Sequence, residues 1–542
     1  MTATVRADAA TLIAAANAVY DDDPVALEAI ALLDQRLREP LRLALAGMVK
    51  AGKSTLLNAL IGEEIAPTDA GECTRVVTWY RYSATPSVTL HLYDGAPRRM
   101  PVRRDGGHLV LTLGGAEPEE VQWIDVGWPS AALRSVILID TPGIASLSQS
   151  TSERSTSFLT PEQSPSSADA IVYLLRHLHA SDLKFLEAFR DTAAGVSQTV
   201  NAVAVLSRAD EVGSGRIDSL LSAGRGARRY EGDGDLASLA LGVIPVAGLL
   251  AEGARTLRER EFAAFHALAG LDKTARDRLL VSADRFVRPS DTTDVTQEAR
   301  RDLLARFGIF GVRLATTLIR GGVSDSTELA ERLVQQSGLN DLNRFIGEQF
   351  RTRGESLKVR GVLDGLEKIV RERPHAGGDV VSAGIERLYA TAHSLRELSL
   401  LSRARVAGLP LSAENALLAE RLIGGQGTRA HVRLGLPEGA SSDLMRGRVD
   451  ELLTRWRTLA LSPLSERATV DVCRVVIRSL EEIGSRLGAD GSGEPPLDVD
   501  SPGGPRDRGG ESADEQTQQD EPALQREQLS EDLAVAIRGD KL

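Results

Sequence analysis

Leu41-Arg-Leu-Ala-Leu-Ala-Gly47-Met-Val-Lys-Ala-Gly52-Lys53-Ser54-Thr-Leu-Leu-Asn-Ala-Leu60 is the stretch on which the fold turns. An apolar run suited to a buried strand, Leu41–Val49, leads into G-x-x-x-x-G-K-S, and Ser54–Leu60 continues as a helix. Strand, loop and helix in that order form a phosphate cradle. Glycines let the backbone wrap an anion, while the helix N-terminus adds unpaired N–H groups and positive potential. Gly47, Met48, Val49, Lys50, Ala51, Gly52 and Thr55 would line the nucleotide phosphates. Lys53 would bridge the β- and γ-phosphates, and the Ser54 hydroxyl would ligate Mg²⁺.

Outward from this loop the pattern is α/β. Val76–Tyr82, Ser87–Tyr93, Leu109–Leu113 and Trp123–Val126 carry β-branched and aromatic residues between turn signals such as Asp105-Gly106-Gly107. Val136–Ile139, Ala170–Leu175, Ala202–Leu206 and Gly242–Val246 follow, alternating with helical stretches such as Leu183–Phe189. This predicts a P-loop head with a mainly parallel sheet and flanking helices. Two helices, 8–20 and 24–38, precede it. After residue 250 strand signals stop, and 252–336 reads as helical. Ser337 should cap a helix with Leu339, Leu342, Ile346, Phe350 and Leu357 on its apolar face, and Pro374–Asp379 reads as a hinge. Helices at 380–405, 443–461 and 465–487 complete an elongated helical region. The expected division is 1–40 (helices joining a neck), 41–250 (P-loop core), 251–336 (helical extension), 337–487 (neck and trunk) and 488–542 (disordered acidic tail).

Four further segments fit a nucleotide site. Asp140-Thr-Pro-Gly143 ends a buried strand, where Asp140 would reach the magnesium through water and the Gly143 N–H would face the γ-phosphate. Thr74, in Gly71-Glu-Cys-Thr74-Arg75, is the preferred switch I residue, supplying a hydroxyl to Mg²⁺ and a carbonyl to the attacking water; Thr68 competes for the role. Ser207-Arg208-Ala209-Asp210 resembles a degenerate [NT]-K-x-D base-reading motif. Asp210 would accept from guanine N1 and the exocyclic amine, a donor pair adenine lacks, while Arg208 packs its stem over the base. ATP stays open as a minor alternative. Ala247, after the last strand, would offer its N–H to the guanine oxygen.

Composition narrows the function classes. Of the net charge of −12, the 55 residues from Gly488 onward carry −9, and the preceding 487 carry −3. A near-neutral body argues against a large nucleic-acid surface, so no nucleic acid is expected. Two distant cysteines, Cys73 and Cys473, form no disulfide framework or zinc cluster, which suits a reducing cytosol. No signal peptide is expected, and no run of eighteen apolar residues occurs, so membrane contact would be peripheral.

The chain resembles the bacterial dynamin-like GTPases. Gly52-Lys-Ser-Thr-Leu-Leu-Asn-Ala-Leu-Ile-Gly62 and Val126-Gly-Trp-Pro129-Ser130, ahead of Asp140-Thr-Pro-Gly143, are similar to that group. Leu303-Leu-Ala-Arg-Phe-Gly308-Ile-Phe-Gly311 and Ser337-Gly338-Leu339 through Leu357-Lys358 resemble its mycobacterial isoniazid-inducible branch. The resemblance implies GTP hydrolysis with Mg²⁺, a neck and trunk built from both helical flanks, and self-association through GTPase heads or with a related dynamin-like protein. It also implies remodelling or bridging of membrane at the inner face of the cell. The trunk tip, about 406–443, is the expected contact with anionic lipid: Leu422, Ile423, Leu434 and Leu436 would insert while Arg429 and Arg433 meet headgroups. Two positions depart from the eukaryotic dynamins. Val49 stands where a Gln positions the attacking water, and Lys50 replaces a Ser. Two other classes remain: an assembly-factor GTPase acting on RNA or ribosomes, and a slow nucleotide-switch scaffold.

Overall fold

The computed structural model describes residues 2–67, 72–105, 108–143, 168–191, 201–212, 215–216, 218–231 and 234–490. The tail from 491 and the Gly106-Gly107 turn lie outside them. Strands β1 (Leu41–Gly47), β2 (Thr78–Tyr82), β3 (Ser87–Leu92), β4 (Arg98–Met100), β7 (Val121–Trp128), β8 (Val136–Asp140), β9 (Ala170–Leu175), β10 (Ala202–Ser207) and β11 (Val243–Val246) make one nine-stranded sheet. Its order is β11-β10-β9-β1-β8-β2-β7-β3-β4, and β5 (Arg103–Asp105) pairs with β6 (His108–Val110) in a separate hairpin. The five strands β11, β10, β9, β1 and β8 run parallel. β2 reverses direction against β8. Parallel strands buried on both faces need continuous apolar text, and all six residues of β9 and of β10 are buried. The carboxyl ends of the five therefore share one edge, where a ligand crevice forms. β4 and β5 were not expected: they are three residues each and arginine-rich, without apolar alternation.

Helices α1 (Thr2–Val19) and α2 (Pro24–Arg38) precede the sheet, and Asp23 caps α2 by accepting from the Val25 and Ala26 amides at 3.1 Å. α3 (Lys53–Ile61) follows β1. α4 (Ala180–Asp191), α5 (Ser219–Glu231) and α6 (Gly234–Ala237) fill the later crossovers. After β11 come α7 (Gly248–Arg255), α8 (Glu259–Ala269), α9 (Lys273–Leu279), α10 (Ala283–Phe286), α11 (Gln297–Arg320) and α12 (Ser326–Gln336). They bury their own cluster, centred on Phe265, Phe286, Phe307 and Phe310.

Beyond them the single helix expected from Ser337 is divided. α13 (Leu339–Phe345) runs into a π-helical turn at Ile346–Arg351, and α14 (Gly354–Glu372) resumes. The widened turn brings the buried Arg353 guanidinium onto the carbonyls of Ile423 (3.2 Å) and Gly424 (2.6 Å). α15 (Gly378–Thr391) returns along α14, and both pack on α1. Tyr20 donates to the Arg373 carbonyl at 3.1 Å, so the N-terminal helices and the 354–391 helices form one bundle.

The expected helix 380–405 is also two, because the backbone turns extended at Ala392 before α16 (His393–Val406). No Gly or Pro announces this break. A buried cluster beyond it holds the new direction: His393 meets the Ser479 hydroxyl at 3.0 Å, and Glu397 pairs with Arg433 at 2.5 Å. α17 (Ala413–Leu422), α18 (Ala430–Leu434), α19 (Ser442–Leu461) and α20 (Arg467–Asp490) complete the trunk. The 406–443 segment departs from the expected lipid contact. Leu422, Ile423 and Leu434 are buried in the core, Leu436 packs against it, and the buried Arg433 donates to the Leu422 carbonyl at 2.6 Å. Arg429 is spoken for by Glu348 and Glu438. These leucines fold inward because α17 and α18 have a trunk surface to cover.

One polar cluster ties the phosphate-binding helix to the extension. Asn58 of α3 accepts from the Ile65 and Ala66 amides and donates to Glu252 Oε1 of α7 at 2.7 Å. Glu64 pairs with Arg306 of α11, which also reaches Glu261 of α8 at 2.6 Å. Burial pushes the Glu252 carboxyl up to about 7 from 4.5, and nearby Glu64 adds to it. The folded state therefore keeps this proton after the unfolded chain has lost it, and stability falls as pH rises from about 4.5 to 7, by up to roughly 3 kcal/mol. Glu252→Gln keeps an oxygen for Asn58 and removes the charge. Urea titrations should find it more stable than the parent at pH 8 and no different at pH 4; equal stability at both values would show that Glu252 does not titrate there.

Candidate functional site

The phosphate end is built by β1, α3 and the loop between them. Gly47 has φ +145°, and a Cβ there would stand 2.3 Å from the Leu174 carbonyl oxygen of β9, so only glycine fits. Gly52 (φ +94°) precedes α3 with no capping side chain, which leaves the first-turn N–H groups open to an anion. Lys53 is buried, and its ammonium donates to the Gly47 and Met48 carbonyls at 3.2 and 3.4 Å. Burial lowers its pKa and the Asp140 charge works against that.

β8 runs beside β1 with Asp140 opposite Leu45, which brings its carboxylate to the cradle. The Ser54 hydroxyl donates to Asp140 Oδ2 at 2.8 Å. Burial raises the Asp140 pKa, opposed by Lys53 and by the Ser54 bond. Its other oxygen, Oδ1, is buried without a hydrogen-bond partner. A hydroxyl and a partly orphaned carboxylate beside a phosphate cradle suit Mg²⁺, a hard cation that keeps several waters and takes the rest of its shell from phosphate oxygens. Thr141 anchors the following turn on the Leu45 carbonyl at 2.8 Å. Gly143 then touches the loop: a Cβ there would fall 2.5 Å from Val49 Cγ2 and 2.8 Å from Val49 Cα.

The base end opens beside it. A cleft with about 580 Å³ of empty space is lined by Gly52, Thr55, Ser207, Arg208, Asp210, Gly248 and their apolar neighbours. Arg208 has φ +52°. Its guanidinium reaches back to the Lys50 carbonyl at 3.2 Å and pairs with Glu211 at 2.7 Å, so the base loop and phosphate loop are joined directly. Ser207 lines the cleft, but its hydroxyl goes to the Leu175 carbonyl at 3.1 Å, an anchor between β10 and β9. Asp210 stands in a 3₁₀ turn, and burial raises its pKa. Three predicted residues of the base end, Ser207, Arg208 and Asp210, thus line one cleft with Gly52 and Thr55 of the phosphate loop, next in the chain to Lys53 and to Ser54 with its Asp140 bond.

Two calls differ. The Ala247 N–H is taken by the Ser337 carbonyl at 2.9 Å, because Gly338 packs α13 directly onto the end of β11. The cleft is lined instead by Gly248, whose amide begins α7 without an intrahelical partner. Thr74 lies in the 3₁₀ turn Glu72–Arg75, and its side chain is outside the described residues, as is all of Thr68. Sequence reasoning missed Gly308, whose φ of +65° and ψ of 171° interrupt α11 where a Cβ would stand 3.8 Å from Asp210 Oδ2. A glycine amid helical text was the available signal.

A family model described as "Dynamin family" matches residues 43–190. The isoniazid-induced protein IniC of Mycobacterium tuberculosis (strain H37Rv) is 40% identical over 454 residues, covering 84% of this chain and 92% of its own length. A bacterial dynamin-like protein of Nostoc punctiforme is 32% identical over 130 residues, 22% of this chain and 19% of that one. Among solved structures, a chain from an oligomerised bacterial dynamin pair aligns with 90% of this chain and 74% of its own at 12% identity and a TM-score of 0.34, a likeness too loose to carry anything further. Lys53, Ser54 and Asp140 fall within the matched segment, and with the long alignment to IniC it follows that this chain belongs to the dynamin family, as a bacterial dynamin-like protein of the IniC type.

Proposed function

We propose that this protein binds GTP with Mg²⁺, hydrolyses it to GDP and phosphate, and couples the cycle to peripheral contact with anionic membrane at the inner face of the cell. The observation that carries the reading is a cleft lined by Asp210 together with Gly52 and Thr55, the residues that flank Lys53 and the Asp140-bonded Ser54 in the chain. Mg²⁺, when bound, would neutralise β- and γ-phosphate charge between Ser54, Asp140 and phosphate oxygens, with Thr74 completing the shell. Lys53 holds the phosphates, and Asp210 accepts the two guanine donors.

A path from the site to the helices supports the coupling. β9 begins just after the segment that follows Gly143, and Asp169 at its entrance is buried. Its carboxylate accepts from Arg36 of α2 at 3.0 and 2.7 Å and from the Arg42 amide at 2.8 Å. A displacement of β9 on phosphate loss would bear on the neck through a paired charge that cannot be broken cheaply. Self-association through the heads, or with a related dynamin-like protein, fits the same cycle. The apolar Val49 packed at Gly143 offers no group to orient water, which favours slow turnover and keeps the switch-scaffold reading as the second choice.

For the membrane, the most exposed large apolar residues among the described ones lie outside 406–443, where Leu417 is exposed to a lesser degree. Leu461 and Leu464, in the turn between α19 and α20, are 82% and 93% exposed. That turn precedes α20 more than ten residues before the His393–Ser479 contact, near the 407–411 loop that Thr469 holds through the Pro410 carbonyl. Two exposed leucines flanking a proline suit shallow insertion.

Lys53→Ala should abolish GTP binding or turnover, and unchanged phosphate release would falsify the site. Asp210→Asn removes the acceptor for both guanine donors and should cost about 100-fold or more in GTP affinity while xanthosine triphosphate gains, checked by competition against a fluorescent GDP analogue. Replacing Leu461 and Leu464 with Ser should lower co-sedimentation with anionic liposomes and leave GTP turnover in solution as it was; undiminished binding would place the lipid contact elsewhere.

A further inference from the structure

Residues 95–104 include Arg98, Arg99, Arg103 and Arg104 and no acidic residue. Arg98 and Arg99 lie on β4, the outer strand of the nine-stranded sheet, and Arg103 and Arg104 lie on β5, which follows it in the chain. All four are exposed. The patch is fixed to the head. The Arg104 guanidinium stands 4.8 Å over the Trp128 ring and pairs with Glu63 at 3.0 Å, and the Leu109 amide of β6 donates to the Glu64 carbonyl at 3.1 Å. Among the described residues no carboxylate pairs with Arg98, Arg99 or Arg103. Charged side chains blunt free sheet edges, which accounts for Arg98 and Arg99 and leaves Arg103 unexplained. Fixed guanidinium groups without partners suit carboxylates, which they hold through charge-assisted, often paired, hydrogen bonds.

The complementary charge is in the same chain. Within residues 511–532 eight acidic residues stand against Arg526 alone. We propose that this acidic stretch docks on Arg98, Arg99 and Arg103 of its own head, an inference independent of the GTPase reading above. The helix that leads to the tail runs close to the head. Ser479 of α20 donates to Glu397, and Glu397 holds Arg433 on the Leu422 carbonyl. The neighbouring Gly424 carbonyl takes Arg353, next to Gly354, where a Cβ would stand 3.7 Å from Leu41 of β1. Asp490 ends α20 eleven residues beyond Ser479. Residues 491–510 can then span up to about 70 Å when extended. Exposed ion pairs contribute little one by one, but a tether of this kind gives the acidic stretch a roughly millimolar local concentration, so a few suffice. The patch also braces the loop that carries Thr74. Glu63 and Glu64 meet it at the start of that loop, and Cys73 donates to the Leu111 carbonyl at 3.3 Å near its end. A docked tail would sit on that brace.

The test uses the full chain with a fluorophore on Ser512→Cys, since Cys73 and Cys473 are buried. Its anisotropy in about 0.01 M salt should exceed that in about 1 M, where charge is felt over only ~3 Å. Arg98→Gln, Arg99→Gln and Arg103→Gln together should abolish that difference while the thermal midpoint of the chain stays where it was. Asp514→Asn, Glu515→Gln, Asp520→Asn, Glu521→Gln, Glu527→Gln and Glu531→Gln together should abolish it as well, and they change no residue of the described body. Parent anisotropy that ignores salt overturns the proposal, and so does a salt effect that survives either set of substitutions. A difference that grows with protein concentration gives the patch to the tail of a second copy and overturns docking within one chain. If the parent tail rotates freely while the arginine set lowers co-sedimentation with phosphatidylglycerol–phosphatidylcholine vesicles, the patch is a lipid contact and the proposal fails.

Discussion

A hydrogen bond of 2.8 Å from the Ser54 hydroxyl to the buried Asp140 carboxylate joins two strands' worth of loops into one site. It exists because β8 lies directly beside β1 in parallel register, so that both chains deliver their next loop to the same edge. Burying a carboxylate is costly unless charge and hydrogen bonds accompany it, and Lys53 and Ser54 do so on one side. On the other side Asp140 Oδ1 has no partner, an arrangement suited to an ion. The remaining site residues are placed by the same sheet: Gly47 against Leu174, Ser207 against Leu175, and the start of α7 after β11.

The helices are not an appendage to this sheet. One continuous hydrophobic cluster runs from Leu43 and Leu45 through Leu37 and Ile30 of α2 to Val359 and Leu363 of α14. Where that cluster meets the sheet, the Arg36–Asp169 pair sits fully desolvated on its acidic side. Gly361 lets α14 approach it, since a Cβ there would fall 2.9 Å from the Arg36 guanidinium. A buried pair of this kind adds little net stability against an apolar alternative but strongly resists being half-broken, which makes it suited to carrying a displacement. The trunk meets the neck through a second such cluster. Burial alone would raise the Glu397 carboxyl, yet hydrogen bonds from His393 and Ser479 and the Arg433 charge hold it down to about 2. Arg353 lies in the same junction, its pKa brought to about 10 by burial.

Much of the head was legible because its signals are local. A P-loop needs particular residue types at particular spacings, and parallel strands buried on both faces need unbroken apolar runs, so Lys53, Ser54, Asp140, β9 and β10 could be read directly. Asp210 was legible for the same reason, despite the altered Ser207-Arg208 before it. What failed were readings that depended on which neighbour arrives. The amide of Ala247 looked available until Gly338 brought Ser337 against it. The helix broken at Ala392 shows no local breaker, since the turn is held by contacts to residues more than eighty positions away. Leu422, Ile423 and Leu434 have the same periodicity whether they face lipid or a trunk core.

By itself, then, the order of residues determined that a P-loop stands between a buried strand and a helix, that the Asp210 carboxylate follows a parallel strand, and that helices flank the sheet on both sides. Those facts follow from backbone geometry and side-chain chemistry within a few residues of one another. The tertiary structure alone decided that Lys50 and Arg208 are joined, that Asp169 is tied to the neck, and that Leu461 and Leu464 stay exposed. Each of these is a matter of which surfaces become buried against each other, and apolar periodicity marks a residue for burial without naming its partner.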